Sequence, residues 1–177
     1  MGMPNSQSPW PRLLNAPRPA SSVPARGERQ SAYLLPGELH ASGEPCQIRT
    51  ILGSCVAICL WDSRQRAGGM NHFLLPASRE GQPASQRFAD VATSVLLKKL
   101  SLLGCRPANQ RAKIFGGSAM FQNRNRLAVS LGTQNVAAAL HLMKSAGIPV
   151  AVQETGGTRG RKIIFNTDDG VVWCQPI

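Results

Sequence analysis

Leu52-Gly53-Ser54-Cys55-Val56-Ala57-Ile58-Cys59-Leu60-Trp61-Asp62 is answered by Gly68-Gly69-Met70-Asn71-His72-Phe73-Leu74-Leu75-Pro76. The first stretch reads as a tight Gly-Ser corner entering a strand. Val56, Ile58 and Leu60 alternate with Ala57, Cys59 and Trp61, and both sets are apolar, so the strand is expected to be covered on both faces. The second reads as the returning strand, because Asp62 to Gly69 is polar and charged and ends in two glycines. In an antiparallel hairpin the sum of paired residue numbers is constant. A turn centred near Ser63-Arg64 puts Cys55 opposite His72. A later centre makes the two diagonal neighbours on one face or slips them to opposite faces. In most registers a thiol and an imidazole meet at the open end of one hairpin, as a thiol nucleophile and its base require.

Outward from this hairpin, Tyr33 to His40 is expected to be an entry strand with a Pro36-Gly37 break, and Gln47 to Leu52 a short strand carrying Thr50. Residues 77 to 87 are a polar loop. Phe88 to Leu103 has helical spacing, with Phe88, Val91, Val95, Leu96, Leu102 and Leu103 on one apolar face and Gly104 as the stop. Ala112 to Phe115 and Leu127 to Leu131 read as strands. Thr133 is expected to cap a helix from Gln134 to Ala146, with Val136, Ala139, Leu140 and Met143 inward and His141 outward. Val150 to Glu154 is a strand, and Lys162 to Asn166 with Val171 to Cys174 form a hairpin around Asp168-Asp169-Gly170. Strands outnumber helices and several are joined by short turns. That pattern predicts an α+β fold, mainly antiparallel, with helices on the outside.

The chain has 177 residues, enough for one domain with a real core. Residues 1 to 30 differ from the rest: Pro4, Pro9, Pro11, Pro17, Pro19 and Pro24 accompany Arg12, Arg18, Arg26 and Arg29 against Glu28 alone. Such a segment buries too little apolar surface to offset its ordering entropy, so it is expected to be a mobile basic tail before a domain at 31–177. The formal charge of +11 invites an acidic partner. The basic residues are scattered, however, and no stacking platform or nucleic-acid motif accompanies them, so no nucleic-acid role is expected. No apolar run reaches membrane-spanning length and no signal-peptide core is present, which predicts a cytoplasmic protein without membrane insertion. Five cysteines without a C-x-x-C or Cys/His ligand spacing predict no metal site, and most of them read as buried small hydrophobes.

Cys55 with His72 is the sharpest constellation. Cys55 follows a Gly53-Ser54 corner, where a side chain reaches a cleft and exposed amide N–H groups can hold an oxyanion. Thr50, five residues earlier, has a hydroxyl that can accept the other imidazole N–H and fix the tautomer. Ser54 and the Gly116-Gly117 turn are candidate lining for a slot that admits a slender side chain. Thr155 to Arg161 is glycine-rich but lacks the G-x-x-x-x-G-K-[ST] order, which argues against nucleotide binding.

Four stretches in order, Leu52 to Ala57, Gly68 to Pro76, Lys113 to Met120 and Glu154 to Lys162, resemble the CheD family of bacterial chemoreceptor glutamine deamidases. Pro36-Gly37-Glu38 and Arg87-Phe88-Ala89-Asp90 fit as well, and the resemblance runs from about Tyr33 to the C-terminus. It implies a cofactor-free cysteine hydrolase that converts receptor glutamines to glutamates, with an αββα-like sandwich related to deamidating toxins. It carries the family's catalytic Cys, His and Thr onto Cys55, His72 and Thr50. The implied partners are methyl-accepting chemotaxis receptors, acted on by a monomer. The alternative function is that of an adaptor regulating a CheC-type chemotaxis phosphatase.

Overall fold

The computed structural model describes residues 29–119 and 129–177. Nine strands and two α-helices follow in order: β1 (Gln30–Tyr33), β2 (Leu39–Ser42), β3 (Cys46–Leu52), β4 (Val56–Asp62), β5 (Ala67–Phe73), α1 (Ala89–Leu102), β6 (Gln110–Gly116), α2 (Leu131–Ser145), β7 (Val150–Thr155), β8 (Arg161–Asn166) and β9 (Val172–Pro176). They form a four-stranded sheet in the order β1-β3-β8-β9 and a five-stranded sheet in the order β2-β5-β4-β6-β7. Pairing is antiparallel except for β1 with β3 and β6 with β7. The fold is thus α+β with two sheets packed together, as the strand pattern requires. Both described helices pack on the outer face of the five-stranded sheet, so the layers run helices, sheet, sheet where an αββα-like sandwich has helices on both sides.

β4 is the centre of this arrangement because both of its faces are apolar. Val56, Ile58 and Leu60 join α1 and α2 in one core, with Leu96, Leu100, Ala139 and Met143. Ala57 and Cys59 point the other way, into a second core between the sheets, with Ile48, Leu52, Ile163 and Phe165. A strand covered on both faces reads as a continuous apolar run, which is the signal the sequence carries here.

Several elements differ from the sequence reading. Tyr33 to His40 is not one strand. The Pro36-Gly37 turn, with Gly37 at φ +91°, splits it, and the chain changes sheets there. Folded structure reaches back to Arg29, whose guanidinium bonds Asp168 at 3.0 Å and Asp169 at 3.2 Å, and Gln30 opens β1. The rest of the expected basic tail lies outside the described residues. So do Leu127 and Ala128 of the expected strand at 127–131, while Leu131 begins α2. That helix is capped by Ser130, whose Oγ accepts the Thr133 N–H at 3.1 Å, so the cap is three residues earlier than Thr133. His141 faces out as expected. On α1 the buried stripe is Ala89, Ala92, Thr93, Leu96 and Leu100, and Leu102 is 80% exposed. Small residues at 89 and 92 share that stripe with Leu96 and Leu100.

Gly68 and Gly69 lie within β5, beyond the hairpin turn, and face opposite layers. A Cβ on Gly68 would come 2.8 Å from Phe165 of the other sheet, and one on Gly69 would come 2.7 Å from Leu96 and 2.8 Å from the His40 carbonyl oxygen. These two positions set the spacing of all three layers. Gly69→Ala is expected to destabilise the protein by about 1–3 kcal/mol through overpacking. Gly43→Ala, where the nearest atom is Leu103 Cδ2 at 3.7 Å, is expected to stay within about 0.5 kcal/mol of the parent. Denaturant midpoints of the two variants check this, and equal losses would remove β5 packing as the cause.

Candidate active site

The chain leaves the four-stranded sheet at Leu52 and enters the five-stranded sheet at Val56, so Gly53-Ser54-Cys55 is a crossover between layers. All three of its carbonyls are held from one side. Ser118 N–H donates to Gly53 O at 2.9 Å and Gly117 N–H to Cys55 O at 2.8 Å. Asn135 Nδ2 donates to Ser54 O at 3.0 Å. In a trans peptide the following N–H points away from the carbonyl. The N–H groups of Ser54 and Cys55 therefore face away from the β6–α2 segment, and neither has a backbone oxygen acceptor among the described residues.

Gly116 and Gly117 sit at φ +103° and +67°, under this corner. A Cβ on Gly116 would collide with the Cys55 carbonyl, and one on Gly117 with Val136. Both glycines thus give close backbone support to the crossover. The Gly117 N–H is already committed to Cys55 O, so it is not free for a substrate oxygen. The glycine-rich loop after β7 braces the same segment, with Gly156 N–H to Gly116 O at 2.9 Å and Ala119 N–H to Gly157 O at 2.8 Å.

β4 and β5 pair Val56 with Phe73 and Ala57 with His72, so the turn centres between Arg64 and Gln65. Of the registers left open by the sequence, this one makes Cys55 and His72 diagonal neighbours on the face toward the other sheet. Thr50 reaches the imidazole from that sheet. Its Oγ1 lies 2.8 Å from His72 Nδ1 and 2.8 Å from the Leu34 carbonyl oxygen. The carbonyl can only accept, so the single hydroxyl proton goes to Leu34 and the hydroxyl accepts from His72. The proton of neutral His72 is thereby assigned to Nδ1. Nε2, buried and without a hydrogen-bond partner, keeps its lone pair.

His72 is 1% exposed and Thr50 1%, while Cys55 is half-buried at the open end. Burial pushes the Cys55 thiol up, offset in part by its own backbone N–H. Burial pushes the His72 imidazole down, against smaller opposing effects of the Leu34 carbonyl and Glu38. Both shifts favour a neutral thiol beside a neutral imidazole. Cys59 lies in the closed core between the sheets, where burial raises its thiol further.

Asn135 is a buried polar residue behind this corner that the sequence reading passed over. It is fully buried, and its Nδ2 also donates to Leu74 O at 2.8 Å. The available signal was spacing: residues 135, 139 and 143 fall on one stripe of α2, so a polar residue heads a core face. Among the described residues no group of three or more His, Cys, Asp or Glu side chains could hold a metal ion, and no helix is long and apolar enough to cross a membrane.

Comparison with known proteins adds an independent line. Residues 74–176 match the family model of CheD, chemotactic sensory transduction. A probable chemoreceptor glutamine deamidase CheD 1 of Anaeromyxobacter dehalogenans is 44% identical over 158 residues, covering 89% of this chain and 91% of its own. A probable chemoreceptor glutamine deamidase CheD of Trichlorobacter lovleyi is 40% identical, over 79% of this chain and 86% of its own. The crystal structure of Neisseria meningitidis protein NMB0706 aligns with a TM-score of 0.46 at 13% identity, over 82% of this chain and 73% of that one. Matched by the family model over more than half its length, and by relatives over most of it, the chain belongs to the CheD family.

Proposed function

We propose that this protein is a chemoreceptor glutamine deamidase, with Cys55 as nucleophile, His72 as base and acid, and Thr50 as the group that orients the imidazole. The observation that carries the reading is the hydrogen-bond chain Leu34 O, Thr50 Oγ1, His72 Nδ1, which leaves a basic Nε2 on the face shared with Cys55. The names of the relatives supply the substrate class, chemoreceptor glutamines, and on this reading those receptors are methyl-accepting chemotaxis receptors.

The reaction proceeds through a thioester. The Cys55 S–H proton passes to His72 Nε2 as sulfur attacks the glutamine side-chain carbon. The carbonyl oxygen gains negative charge and accepts hydrogen bonds from the Ser54 and Cys55 N–H groups. Nε2–H then gives its proton to the departing nitrogen, the C–N bond breaks and ammonia leaves. Water next loses a proton to Nε2 and attacks the thioester carbon. The C–S bond breaks, sulfur recovers the proton, and glutamate is released. This sequence balances with no cofactor. A resting thiolate–imidazolium pair is not required, and both pKa directions oppose it. The substrate glutamine projects from a receptor helix and enters past the half-buried Cys55. Pairing with a CheC-type phosphatase is a further partnership of this reading.

Cys55→Ser should remain folded and lose receptor glutamine conversion, because a hydroxyl is far harder to ionise than a thiol. Loss of His72 as general base and acid in His72→Ala should cost at least about 10²–10⁴-fold in rate. Cys59→Ser should keep the rate and lose stability, since it buries a hydroxyl in an apolar core at about 1–3 kcal/mol. Mass spectrometry of co-expressed receptors reads conversion, and thermal midpoints read folding. A Cys55→Ser variant that still deamidates at the parent rate would reject the nucleophile assignment. If instead it keeps full chemotactic function without deamidating, the protein acts as an adaptor to the phosphatase.

The pH dependence follows from the same directions. His72 must be neutral to take the thiol proton, and its pKa is depressed, so the acid limb of turnover should lie below the ordinary imidazole value of about 6.5. The thiol proton must be present for His72 to relay it to ammonia, and the Cys55 pKa is raised, so the alkaline limb should lie above the ordinary thiol range. The ultraviolet absorbance of a thiolate, taken as parent minus Cys55→Ser, should be absent near neutral pH. A clear thiolate signal there would establish a pre-formed ion pair instead.

A further inference from the structure

We infer that Asn135 is a positioning residue that holds the nucleophile-bearing and base-bearing chain ends at a fixed separation. The β4–β5 ladder runs from Asp62 and Ala67 to Val56 and Phe73 and stops there. The next residues outward are Cys55 on one side and Leu74 on the other. Ser54 O and Leu74 O are both acceptors, so they cannot bond each other. The Asn135 side chain enters from α2 and gives one Nδ2 proton to each, at 3.0 Å and 2.8 Å. A primary amide is suited to this task, because it presents two donors on one nitrogen.

The consequence is a wedge in place of a rung. The two chain ends are kept an amide's width apart, and that gap opens the hairpin at Cys55. Ser54 precedes the nucleophile by one residue, and Leu74 follows the base by two. One buried side chain therefore fixes the relation between sulfur and Nε2 from behind the reacting face. Asn135 Oδ1 is buried with no hydrogen-bond partner, so the position keeps the two donations at the expense of the acceptor. The Ser118 and Gly117 N–H bonds to Gly53 O and Cys55 O grip one side of the wedge only. Among the described residues, Asn135 is the side chain that bonds both.

The use of this wedge in turnover rests on the deamidase reading, whereas its effect on Cys55 reactivity does not. The test therefore has two readouts for Asn135→Ala and Asn135→Ser: receptor deamidation, and alkylation of Cys55 by a neutral haloacetamide. Met143→Ala is the control, being a core residue of the same helix remote from the two carbonyls. Misplacement of reacting groups by about 1 Å costs on the order of 100-fold. Asn135→Ala should lower turnover at saturating receptor by about that factor while half-saturation changes little. Alkylation of Cys55 should slow in parallel and its pH profile should shift toward that of a cysteine without a neighbouring base, and Asn135→Ser, which retains one donor, should fall between. Met143→Ala should lower the thermal midpoint and leave alkylation unchanged well below it. Folded Asn135 variants with parent alkylation rates and profiles would overturn the inference, as would failure of both to fold, which would assign Asn135 to the fold alone. If the parent itself does not deamidate receptors, the functional reading falls and the alkylation comparison still decides the role of Asn135.

Discussion

The Thr50 hydroxyl has one proton, and the Leu34 carbonyl takes it. Everything chemical at this site follows from that allocation. His72 must give its own proton to Thr50 Oγ1, so Nδ1 is spoken for and Nε2 keeps the lone pair that the proposed mechanism uses as base. The bond also spans two layers, since Thr50 belongs to the four-stranded sheet and His72 to the five-stranded one. Reactivity at His72 therefore depends on sheet packing, not on local turn geometry. A hydrogen bond of this kind holds only while the two sheets stay in register.

That dependence explains where the small residues fall. Gly68 and Gly69 bring the second sheet and α1 close to opposite faces of β5, the strand that carries His72. Gly116, Gly117 and Gly132 do the same for the crossover that carries Cys55, since side chains there would strike the Cys55 carbonyl, Val136 and the Gly117 carbonyl respectively. Close backbone approach costs conformational freedom in the unfolded chain at each glycine. The return is a corner at Cys55 whose three successive carbonyls are all bonded, which fixes the direction of the amides between them.

Much of this was legible from the order of residues. The two apolar sets of β4 announced a covered strand, and the Gly53-Ser54-Cys55 corner with His72 announced the constellation, because strand periodicity is a local property. Thr50 was legible by spacing as well. The register was not, because the turn from Ser63 to Arg66 tolerates several centres and Arg66 takes an unexpected φ of +52°. The split of residues 33–40 between two sheets was hidden for a similar reason: Pro36-Gly37 marks a break and says nothing about which sheet the chain joins next. Asn135 was missed because what defines it is non-local. Its partners, Ser54 and Leu74, lie 81 and 61 residues away in sequence. The buried face of α1 was hidden because apolar size does not say which stripe meets the sheet: Ala89 and Ala92 are buried together with Leu96 and Leu100, and Leu96 is the side chain that a Cβ on Gly69 would strike.

Five free cysteines raise the question of what distinguishes one of them. Acidity does not, since burial raises the thiol pKa at each. Nor does the +11 charge of the chain. Lys113 acts on Cys59 and Arg161 on Cys174, yet desolvation outweighs both, and no cation figures among the influences on Cys55. Four of the thiols are buried, which withholds them from any substrate, and Cys55 is the half-buried one. A thiol that is accessible but not acidic stays unreactive until a base removes its proton. In the proposed mechanism that base is His72 on the neighbouring strand, with its tautomer fixed from the opposite sheet. With five cysteines in a strongly basic chain, selectivity on that reading comes from position where charge alone would give none.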